Sequence, residues 1–409
     1  MERSIVGSHS GPGINRRSFL RNAAAALPLA YAAGGQTLVA HAAERASAPD
    51  NDAAFPGVIV RQSKPENYEF PFPTLSTFHT PNNLFYVRTH FGIFRDVDLA
   101  AWKLKVEGHI ERPLELSYEE LLKLPSRTQS AVLECSGNSR VFLVPRAEGV
   151  PWELGAVSNA EWTGVPLAAV LDQAGVKSGA VEVICEGADA GEIGGNKEEP
   201  MSPGKISYAR SLPLDKARKS EVLLAYKMNG VDLPAAHGFP LRVLVPGWYG
   251  MASVKWLRRL IVTDQPFQGF FQTMAYSYYE RRAGNPALVP TTELNVKAQI
   301  ARPARQEIVR ADTAYRVHGA AWTGESEIAR VEFSADGGKT WADAKLLDKS
   351  VPYAWRLWEY SWQTPQKPGS LTLMVRATDA RGRAQPMKRD PDRRNALVNH
   401  VLPMEIEVR

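Results

Sequence analysis

The spacing of hydrophobic and polar positions divides the chain into two regions that differ in predicted secondary structure. Between about residues 81 and 288, apolar runs of strand length mix with short helical stretches, and no steady βαβ alternation develops. This mixture predicts an α+β domain. From residue 289 to residue 409 the helical signals vanish, and about seven short segments alternate apolar and polar positions. That spacing predicts an all-β immunoglobulin-like sandwich.

Two helices of the first region are marked by the residues at their ends. Ser117 followed by Glu120 has the spacing of a capping box, so a short helix is predicted to begin there and to stop before Pro125. A second helix is predicted over residues 168–174, because Gly175 supplies the glycine that commonly ends a helix.

Turn residues and composition indicate how the other segments are connected. Asn229-Gly230 predicts a tight hairpin, and a strand is predicted to run from Ser253 to Val262. Residues 186–189 are predicted to form a loop after the preceding strand. Residues 43–80 are rich in Pro, Ala, Asp and Ser, so they are predicted to form an irregular arm.

The first 42 residues have the pattern of an export signal. Arg16-Arg17-Ser18-Phe19-Leu20 precedes a mildly apolar run over residues 23–33, and Ala40-His41-Ala42 is a small-x-small cleavage pattern. The paired arginines followed by Ser-Phe-Leu are similar to the twin-arginine signal, which exports folded proteins. We therefore expect a periplasmic protein whose signal, residues 1–42, is removed.

Charge and hydropathy exclude two classes of partner. The chain has a net charge of +5, and loss of residues 1–42 removes four arginines and one glutamate, which leaves +2. A nearly neutral protein is not expected to bind nucleic acid. The apolar run of the signal is too short for a membrane span, so none is predicted.

The most unusual stretch is Glu134-Cys135-Ser136-Gly137-Asn138-Ser139-Arg140. It contains one of only two cysteines in 409 residues, follows a strand-like run, and turns at Gly-Asn. Arg140 places a positive charge near the sulfur, and a nearby cation favours the thiolate that binds metals or attacks electrophiles. Two alternatives are a buried structural thiol and a disulfide with Cys185, which lies in a predicted buried strand.

Basic residues recur close to short turns elsewhere in the first region. Arg88 and His90 are two apart on a predicted strand over residues 83–91 and so share a face. The sequence has no Gly-rich phosphate loop, haem-attachment Cys-x-x-Cys-His or zinc-ligand cluster. A thiol among scattered basic residues suits an anion held near a soft metal or a thiolate.

Four motifs in order resemble the sulfite oxidase family of molybdenum enzymes. They are the Cys135 stretch, Phe85-Tyr86-Val87-Arg88-Thr89-His90, His237-Gly238-Phe239-Pro240-Leu241-Arg242 and Ser253-Val254-Lys255-Trp256-Leu257. The resemblance covers about residues 80–409. It implies an α+β molybdopterin-binding catalytic domain over residues 81–288 and an immunoglobulin-like dimerisation domain over residues 289–409.

The resemblance also implies the residues of the site. Cys135 would ligate molybdenum beside the one dithiolene of a molybdopterin. The residues implied to hold the pterin and its phosphate are Arg88, His90, Asp189, Ser211, His237, Arg242 and Lys255. The residues implied to form the substrate pocket are Arg88, Arg140, Trp152, Tyr276 and Arg394, with Arg393 as the alternative to Arg394. An acidic residue often precedes the tyrosine in the animal enzymes, but Ala275 stands there in this chain.

The activity implied by the resemblance is oxidation of sulfite to sulfate by oxygen-atom transfer. The sequence encodes no haem domain, so the electrons are expected to pass to a separate acceptor such as a c-type cytochrome. This resembles the bacterial sulfite dehydrogenases more than the animal enzymes. A homodimer or a complex with a cytochrome subunit is expected.

Three alternative functions remain open from the sequence. A related enzyme acts on carrier-bound sulfur in thiosulfate oxidation, as a sulfane-sulfur dehydrogenase subunit. Another relative reduces methionine sulfoxide but lacks the sandwich domain. A non-catalytic binding module of the cell envelope is the alternative from a different class.

Overall fold

The structure, a computed structural model, describes residues 57–196 and 200–409. Within these ranges the chain forms twenty-four β-strands and three short α-helices, so sheets dominate the fold. None of the helices in these ranges is long and apolar enough to cross a membrane. The export signal predicted for residues 1–42 lies outside the described residues, as does the predicted arm before residue 57.

The first described segment forms a small antiparallel sheet and not an irregular arm. Its strands, in the order β1-β2-β3, are β1 Ile59–Gln62, β2 Asn67–Glu69 and β3 Val87–Arg88. The prediction of an irregular arm over residues 43–80 is therefore wrong over β1 and β2. The buried amide of Asn67 donates hydrogen bonds to the side chain of Gln62 and the carbonyl of Pro65, which closes a turn that the composition does not reveal.

Ten further strands and three helices build the rest of the first domain up to residue 263. The strands are β4 Lys103–Gly108, β5 Leu114–Ser117, β6 Arg127–Glu134, β7 Val157–Pro166, β8 Glu182–Gly191, β9 Ile206–Pro213, β10 Leu223–Met228, β11 Val231–Asp232, β12 Arg242–Leu244 and β13 Leu257–Thr263. The helices are α1 Tyr118–Leu122, α2 Leu167–Ala174 and α3 Leu214–Ala217. One sheet has the order β11-β10-β7-β6 with β12 also paired to β10, and the other has the order β5-β4-β13-β8-β9.

The local signals for helices and hairpins are confirmed. Ser117 accepts a hydrogen bond from the backbone of Glu120 and the Glu120 side chain accepts one in return, which completes the capping box of α1. Gly175 ends α2 with φ 70°. Asn229 and Gly230 have φ 50° and 80°, the left-handed pair that a tight turn between β10 and β11 requires.

Two strands and one loop differ from their predicted limits. The strand predicted over residues 253–262 begins only at Leu257, because Trp256 has φ 51° and cannot continue an extended backbone. The loop predicted at residues 186–189 lies instead inside β8, as an irregularity in its pairing with β9. The strand predicted over residues 83–91 is limited to Val87–Arg88.

Short turns of 3₁₀ helix and one π-helix connect these elements. The 3₁₀ turns are Phe72–Thr74, Arg140–Phe142, Ala235–His237, Gly250–Ala252 and Pro391–Arg393. The π-helix Phe271–Ala275 leads into a hairpin of β14 Ser277–Arg282 and β15 Asn285–Pro290.

The C-terminal region is a sandwich of two sheets, as predicted. Its strands are β16 Lys297–Arg302, β17 Ile308–Val309, β18 Ala314–Trp322, β19 Ile328–Ser334, β20 Ala342–Asp343, β21 Lys345–Leu346, β22 Arg356–Gln363, β23 Gly369–Asp379 and β24 Met404–Val408. The sheets have the orders β16-β18-β22-β21 and β17-β24-β23-β19-β20. Alternate positions such as Val317, Phe333 and Trp358 point inward and form a single buried core.

A separate apolar cluster joins the sandwich to the N-terminal sheet. Phe70 and Phe72 pack in it with Trp322 and Trp355, and all four side chains are buried. Burial of each such aromatic side chain stabilises the fold by roughly 2–3 kcal/mol. The two domains therefore share a core and do not merely touch.

Candidate active site

A cavity opens between the two sheets of the first domain. Its wall contains eight of the site residues that the sequence predicts. These are Arg88, His90, Cys135, Asp189, His237, Arg242, Lys255 and Tyr276. Five of the eight are basic residue types, so the cavity suits an anionic ligand.

Cys135 lies at one end of this cavity, immediately after β6. Its N–H donates to the carbonyl of Ala156, and its own carbonyl accepts from the N–H of Asn138, which closes the turn. Ser139 completes the turn with φ 72°. Cys135 and Cys185 are both free thiols, so the structure does not contain the alternative disulfide. The sulfur of Cys135 is therefore available to a ligand in the cavity.

Two basic side chains that line the cavity, Arg242 and Lys255, are held by backbone carbonyls. Arg242, at the start of β12, donates to the carbonyls of His237 and Ser253, each at 3.0 Å. Lys255 donates to the carbonyl of Ala236 at 2.9 Å. Carbonyls position these cations without neutralising them, so their charge remains for a bound anion.

Gly238 allows this close approach of the basic residues. Its φ is 109°, and a Cβ added to it would lie 3.1 Å from the Cβ atoms of both Arg242 and Lys255. A residue with a side chain would be strained there and would push the two cations apart. The close packing of Arg242 and Lys255 therefore explains why a glycine follows His237.

The pKa values of the three buried basic groups are lowered mainly by burial, and for Lys255 and His237 also by neighbouring positive charge. Burial and then the charge of Arg242 lower the pKa of Lys255, which Asp189 partly opposes, and the pKa is about 7. Burial lowers the pKa of Arg242 to about 10. Burial, then Lys255 and Arg242, lower the pKa of His237 to about 3. A bound dianion would relieve this repulsion, as a phosphate group does.

Asp189 supplies the one carboxylate among the described residues that line this cavity. It sits at the irregularity in β8, and burial raises its pKa to about 7. Its Oδ1 atom is buried without a hydrogen-bond partner. A buried acceptor of this kind needs an N–H donor, which a pterin ring carries. The residues present therefore fit a cofactor with a phosphate, polar ring edges and a metal close to sulfur.

A second cavity of about 1350 Å³ meets the first at Cys135. Arg88, His90, Cys135 and Tyr276 line both cavities, and Arg140 lines only the second.

Arg140 occupies a narrow space between two glycines beside this second cavity. A Cβ on Gly137 would lie 2.6 Å, and one on Gly149 2.7 Å, from nitrogens of its guanidinium group. The guanidinium group donates to the carbonyls of Val150 at 3.0 Å and Asn395 at 2.9 Å. Arg140 is therefore held beside the cavity by the backbone of both domains.

Tyr276 and His90 meet across the junction of the two cavities. The hydroxyl of Tyr276 lies 2.7 Å from Nε2 of His90, and the His90 ring stacks on Tyr208 at 4.8 Å. Burial lowers the pKa of His90 well below its usual value, and the charges of Arg88 and Lys255 add to this effect. His90 is therefore neutral at neutral pH, and the two side chains can share or pass on one proton.

Four residues implied by the resemblance line neither cavity. Ser211 is buried in β9, where its N–H donates to Gln272. Trp152 is fully buried in the apolar cluster that also contains Cys135. Arg394 donates to the carbonyl of Met274 at 3.1 Å and so holds the π-helix before Tyr276. Arg393 lies 4.4 Å above the ring of Tyr278.

Other residues of the two cavities were not identified from the sequence. Tyr86 and Tyr208 line the first cavity, and Arg61 lines the second. Tyr86 stands two positions before Arg88 in the motif Phe85-Tyr86-Val87-Arg88-Thr89-His90. Its position in that motif could have identified it as a residue of the cavity. Arg61 lies in the segment predicted to be irregular, where nothing pointed to a site.

The chain matches two protein families. Residues 90–271 match the oxidoreductase molybdopterin binding domain, and residues 289–399 match the Mo-co oxidoreductase dimerisation domain. Among solved structures, the sulfane dehydrogenase SoxCD from Paracoccus pantotrophus is similar, with a TM-score of 0.74 and 26% identity. That alignment covers 91% of this chain and 93% of the other.

Several characterised proteins are similar over most of the chain. Sulfite oxidase of Gallus gallus is 36% identical, covering 84% of this chain and 77% of that protein. Mitochondrial sulfite oxidase of Homo sapiens is 34% identical over 82% of this chain, and an NADH nitrate reductase of Brassica napus is 33% identical over 79%. The chain spans 63% of the human protein and 38% of the Brassica protein. The chain is a molybdoenzyme that takes a molybdenum–molybdopterin cofactor, and it belongs to the sulfite oxidase family.

Proposed function

We propose that this protein oxidises sulfite to sulfate at the junction of the two cavities. The observation that carries the proposal is the meeting of Arg88, Arg140 and Tyr276 beside Cys135. Two guanidinium groups next to a metal-binding thiol suit a small oxyanion. With atoms and charges balanced, sulfite and water give sulfate, two protons and two electrons.

The cofactor divides the work with the side chains of this chain. When bound, molybdenum–molybdopterin supplies oxygen-atom transfer and takes up two electrons. Cys135 would be the protein ligand of the molybdenum, since a soft thiolate suits such a metal. Arg242, Lys255 and His237 would hold the phosphate. Asp189 would accept a hydrogen bond from the pterin through Oδ1.

Arg88 and Arg140 would orient the substrate and stabilise its charge. Both approach the cavity near Cys135, and Arg140 is held in place by two backbone carbonyls. Donors that are fixed before the reaction stabilise developing charge without having to reorganise. Their main effect is therefore on the binding of sulfite and on the release of the more highly oxidised product.

Tyr276 and His90 would handle the protons that the reaction releases. The 2.7 Å contact between them and the neutral state of His90 give a route for one proton away from the substrate. Ala275 carries no charge, so this route does not depend on an acidic residue at that position.

The remaining parts of the proposal concern partners and location. The electrons would pass one at a time to a separate acceptor, a c-type cytochrome. The pattern over residues 1–42 supports export to the periplasm by the twin-arginine pathway. The match to a dimerisation domain supports a homodimer or a complex with a cytochrome subunit.

A second candidate is the oxidation of sulfur bound to a carrier protein. The similarity to the sulfane dehydrogenase SoxCD over 91% of the chain favours it. The second cavity, which is lined by Cys135 and Arg140, would be the place where the carrier-bound sulfur enters. The same Cys135 site would serve both substrates.

One experiment separates these functions. The purified protein, with its molybdenum content measured, is supplied with sulfite or with a sulfur-loaded carrier protein, and cytochrome c reduction is followed. Sulfite-dependent reduction is expected, and ferricyanide as a second acceptor tests whether cytochrome docking limits the rate. Reduction only with the loaded carrier would favour the second candidate.

A further inference from the structure

The turn that carries Cys135 is held by side chains of the C-terminal sandwich. Lys297, the first residue of β16, donates to Oε1 of Glu134 at 2.9 Å and to the hydroxyl of Ser139 at 3.1 Å. Glu134 precedes the cysteine and Ser139 follows it by four residues. One ammonium group from the second domain therefore joins both ends of the turn.

Two neighbours of Lys297 extend this contact. Trp322 of β18, which is paired directly with Lys297, donates its indole N–H to Oε2 of Glu134 at 2.8 Å. Gln299 of β16 donates to the hydroxyl of Ser139 at 3.1 Å. Together Lys297, Gln299 and Trp322 form what we call the sandwich clamp.

The clamp is buried and the acidic group at its centre is fully bonded. The side chains of Lys297 and Glu134 are each 2% exposed. The carboxylate of Glu134 accepts from Lys297, Trp322 and also Asn138, at 2.8–3.0 Å. A buried ion pair is tolerated only with such complete hydrogen bonding, and its geometry is then narrowly defined. This arrangement defines the position of Glu134 more than it stabilises the folded protein.

The C-terminal end of the chain holds the same turn at two further points. The N–H of Leu397 donates to the carbonyl of Ser136 at 2.7 Å, and the carbonyl of Asn395 accepts from Arg140 at 2.9 Å. Residues on both sides of Cys135 are thus fixed from the second domain. Outer partners of this kind set the orientation of a metal ligand and the electronic properties of the metal.

We propose that the C-terminal domain has a function besides dimerisation: its sandwich clamp positions the Cys135 sulfur and so sets the electronic environment of the bound molybdenum. Lys297, Gln299 and Trp322 are positioning residues, since they act through Glu134 and Ser139. The proposal rests on Cys135 as a molybdenum ligand, as in the proposed function, but it does not depend on which sulfur compound is oxidised.

Lys297→Met is the test variant, and Lys216→Met is its matched control. Lys216 is also a buried lysine that joins the two domains, through a 2.7 Å ion pair with Glu325, but it has no bond to the Cys135 turn. Both variants lose one interdomain ion pair. Only the first removes a donor from Glu134.

The readouts are the electron paramagnetic resonance spectrum and the reduction potential of the bound molybdenum, with chemical titrants and no substrate. We expect Lys297→Met to shift the g-values and the potential, and Lys216→Met to retain those of the unaltered protein even if its Tm falls equally. If Lys297→Met does not fold, Lys297→Met/Glu134→Gln and Gln299→Leu are measured instead, and the same shift is expected.

Two results would overturn the proposal. One is a folded clamp variant with unchanged g-values and potential; the other is an equal shift in Lys216→Met. Because chemical reduction replaces substrate, a protein that fails to oxidise sulfite can still confirm the clamp. A clamp variant with normal spectra leaves the proposed sulfite oxidation intact.

Discussion

The hydroxyl of Tyr276 lies 2.7 Å from Nε2 of His90, although 186 residues separate them in the chain. His90 follows β3 of the small N-terminal sheet, whereas Tyr276 follows the π-helix Phe271–Ala275. Single-turn π-helices often occur at functional sites, where they displace a side chain from its regular position. The contact brings a proton donor and a neutral imidazole to the junction of the two cavities.

Removal of the Tyr276 hydroxyl is expected to slow turnover without loss of the cofactor. For Tyr276→Phe we predict that kcat with sulfite falls at least about tenfold, since positioned proton transfer contributes on the order of 10²–10⁴. Steady-state kinetics and molybdenum content measure this. Tyr279→Phe is the control, because Tyr279 is exposed and lines neither cavity. An unchanged kcat in Tyr276→Phe would remove the hydroxyl from the reaction.

Arg140→Gln tests the binding of the anion. We expect KM for sulfite to rise roughly 10–100-fold, as loss of a charge-assisted hydrogen bond costs about 1.5–3 kcal/mol. Molybdenum content should stay near normal, because Arg140 lines the second cavity and not the first. Arg146→Gln, a change of the same type at an exposed arginine close by, should leave KM unaltered. The same KM in both variants would contradict a role for Arg140 in the pocket.

The two cysteines are expected to differ completely in their importance for activity. Cys135→Ser should abolish sulfite oxidation even where the pterin remains bound, since a hydroxyl replaces the soft metal ligand. Cys185→Ala should retain activity and molybdenum, while it loses about 1 kcal/mol of stability because that side chain is fully buried in the core. A fully active serine variant at position 135 would refute the ligand assignment.

Anion binding by the cofactor-free protein is expected to strengthen as the pH falls. The pKa of Lys255 is lowered to about 7 and that of Asp189 is raised to about 7. Between pH 8 and pH 6 the lysine therefore gains its charge and the carboxylate loses its own, and both changes make the cavity more positive. Since charged Lys255 rises from about 10% to about 90%, we predict about tenfold tighter sulfate binding at pH 6.

Isothermal titration calorimetry at the two pH values measures this dependence. Sulfate is the probe because it remains a dianion throughout the range. Lys255→Met should weaken binding at pH 6 and reduce the dependence on pH, whereas Lys367→Met, at an exposed position of the sandwich, should do neither. Tighter binding at pH 8 than at pH 6 would contradict the electrostatic description of the cavity.

Patterns within a few residues were read correctly from the sequence where local physics decides the structure. The capping box of Ser117 and Glu120, the Gly175 helix end and the Asn229-Gly230 hairpin all depend on neighbouring backbone atoms. The period-two alternation after residue 289 likewise predicted the two-sheet sandwich. These features need no knowledge of distant residues.

Strand limits and the N-terminal segment were less well predicted, because tertiary contacts override local composition there. The segment around Asn67 has the composition of an irregular arm, yet its strands complete a sheet and Phe70 and Phe72 enter a core shared with the sandwich. The irregularity in β8 and the left-handed Trp256 bring Asp189 and Lys255 into one cavity.

The sequence by itself determined the residue types of the site, since a thiol before a Gly-Asn turn and basic residues after short turns are local patterns. Their assembly was decided only by the tertiary structure. It brought His90 to Tyr276, left Ser211 and Trp152 outside both cavities, and joined Lys297 to the ends of the Cys135 turn. The physical reason is that buried ion pairs and cavities form between segments far apart in the chain, where no spacing rule connects them.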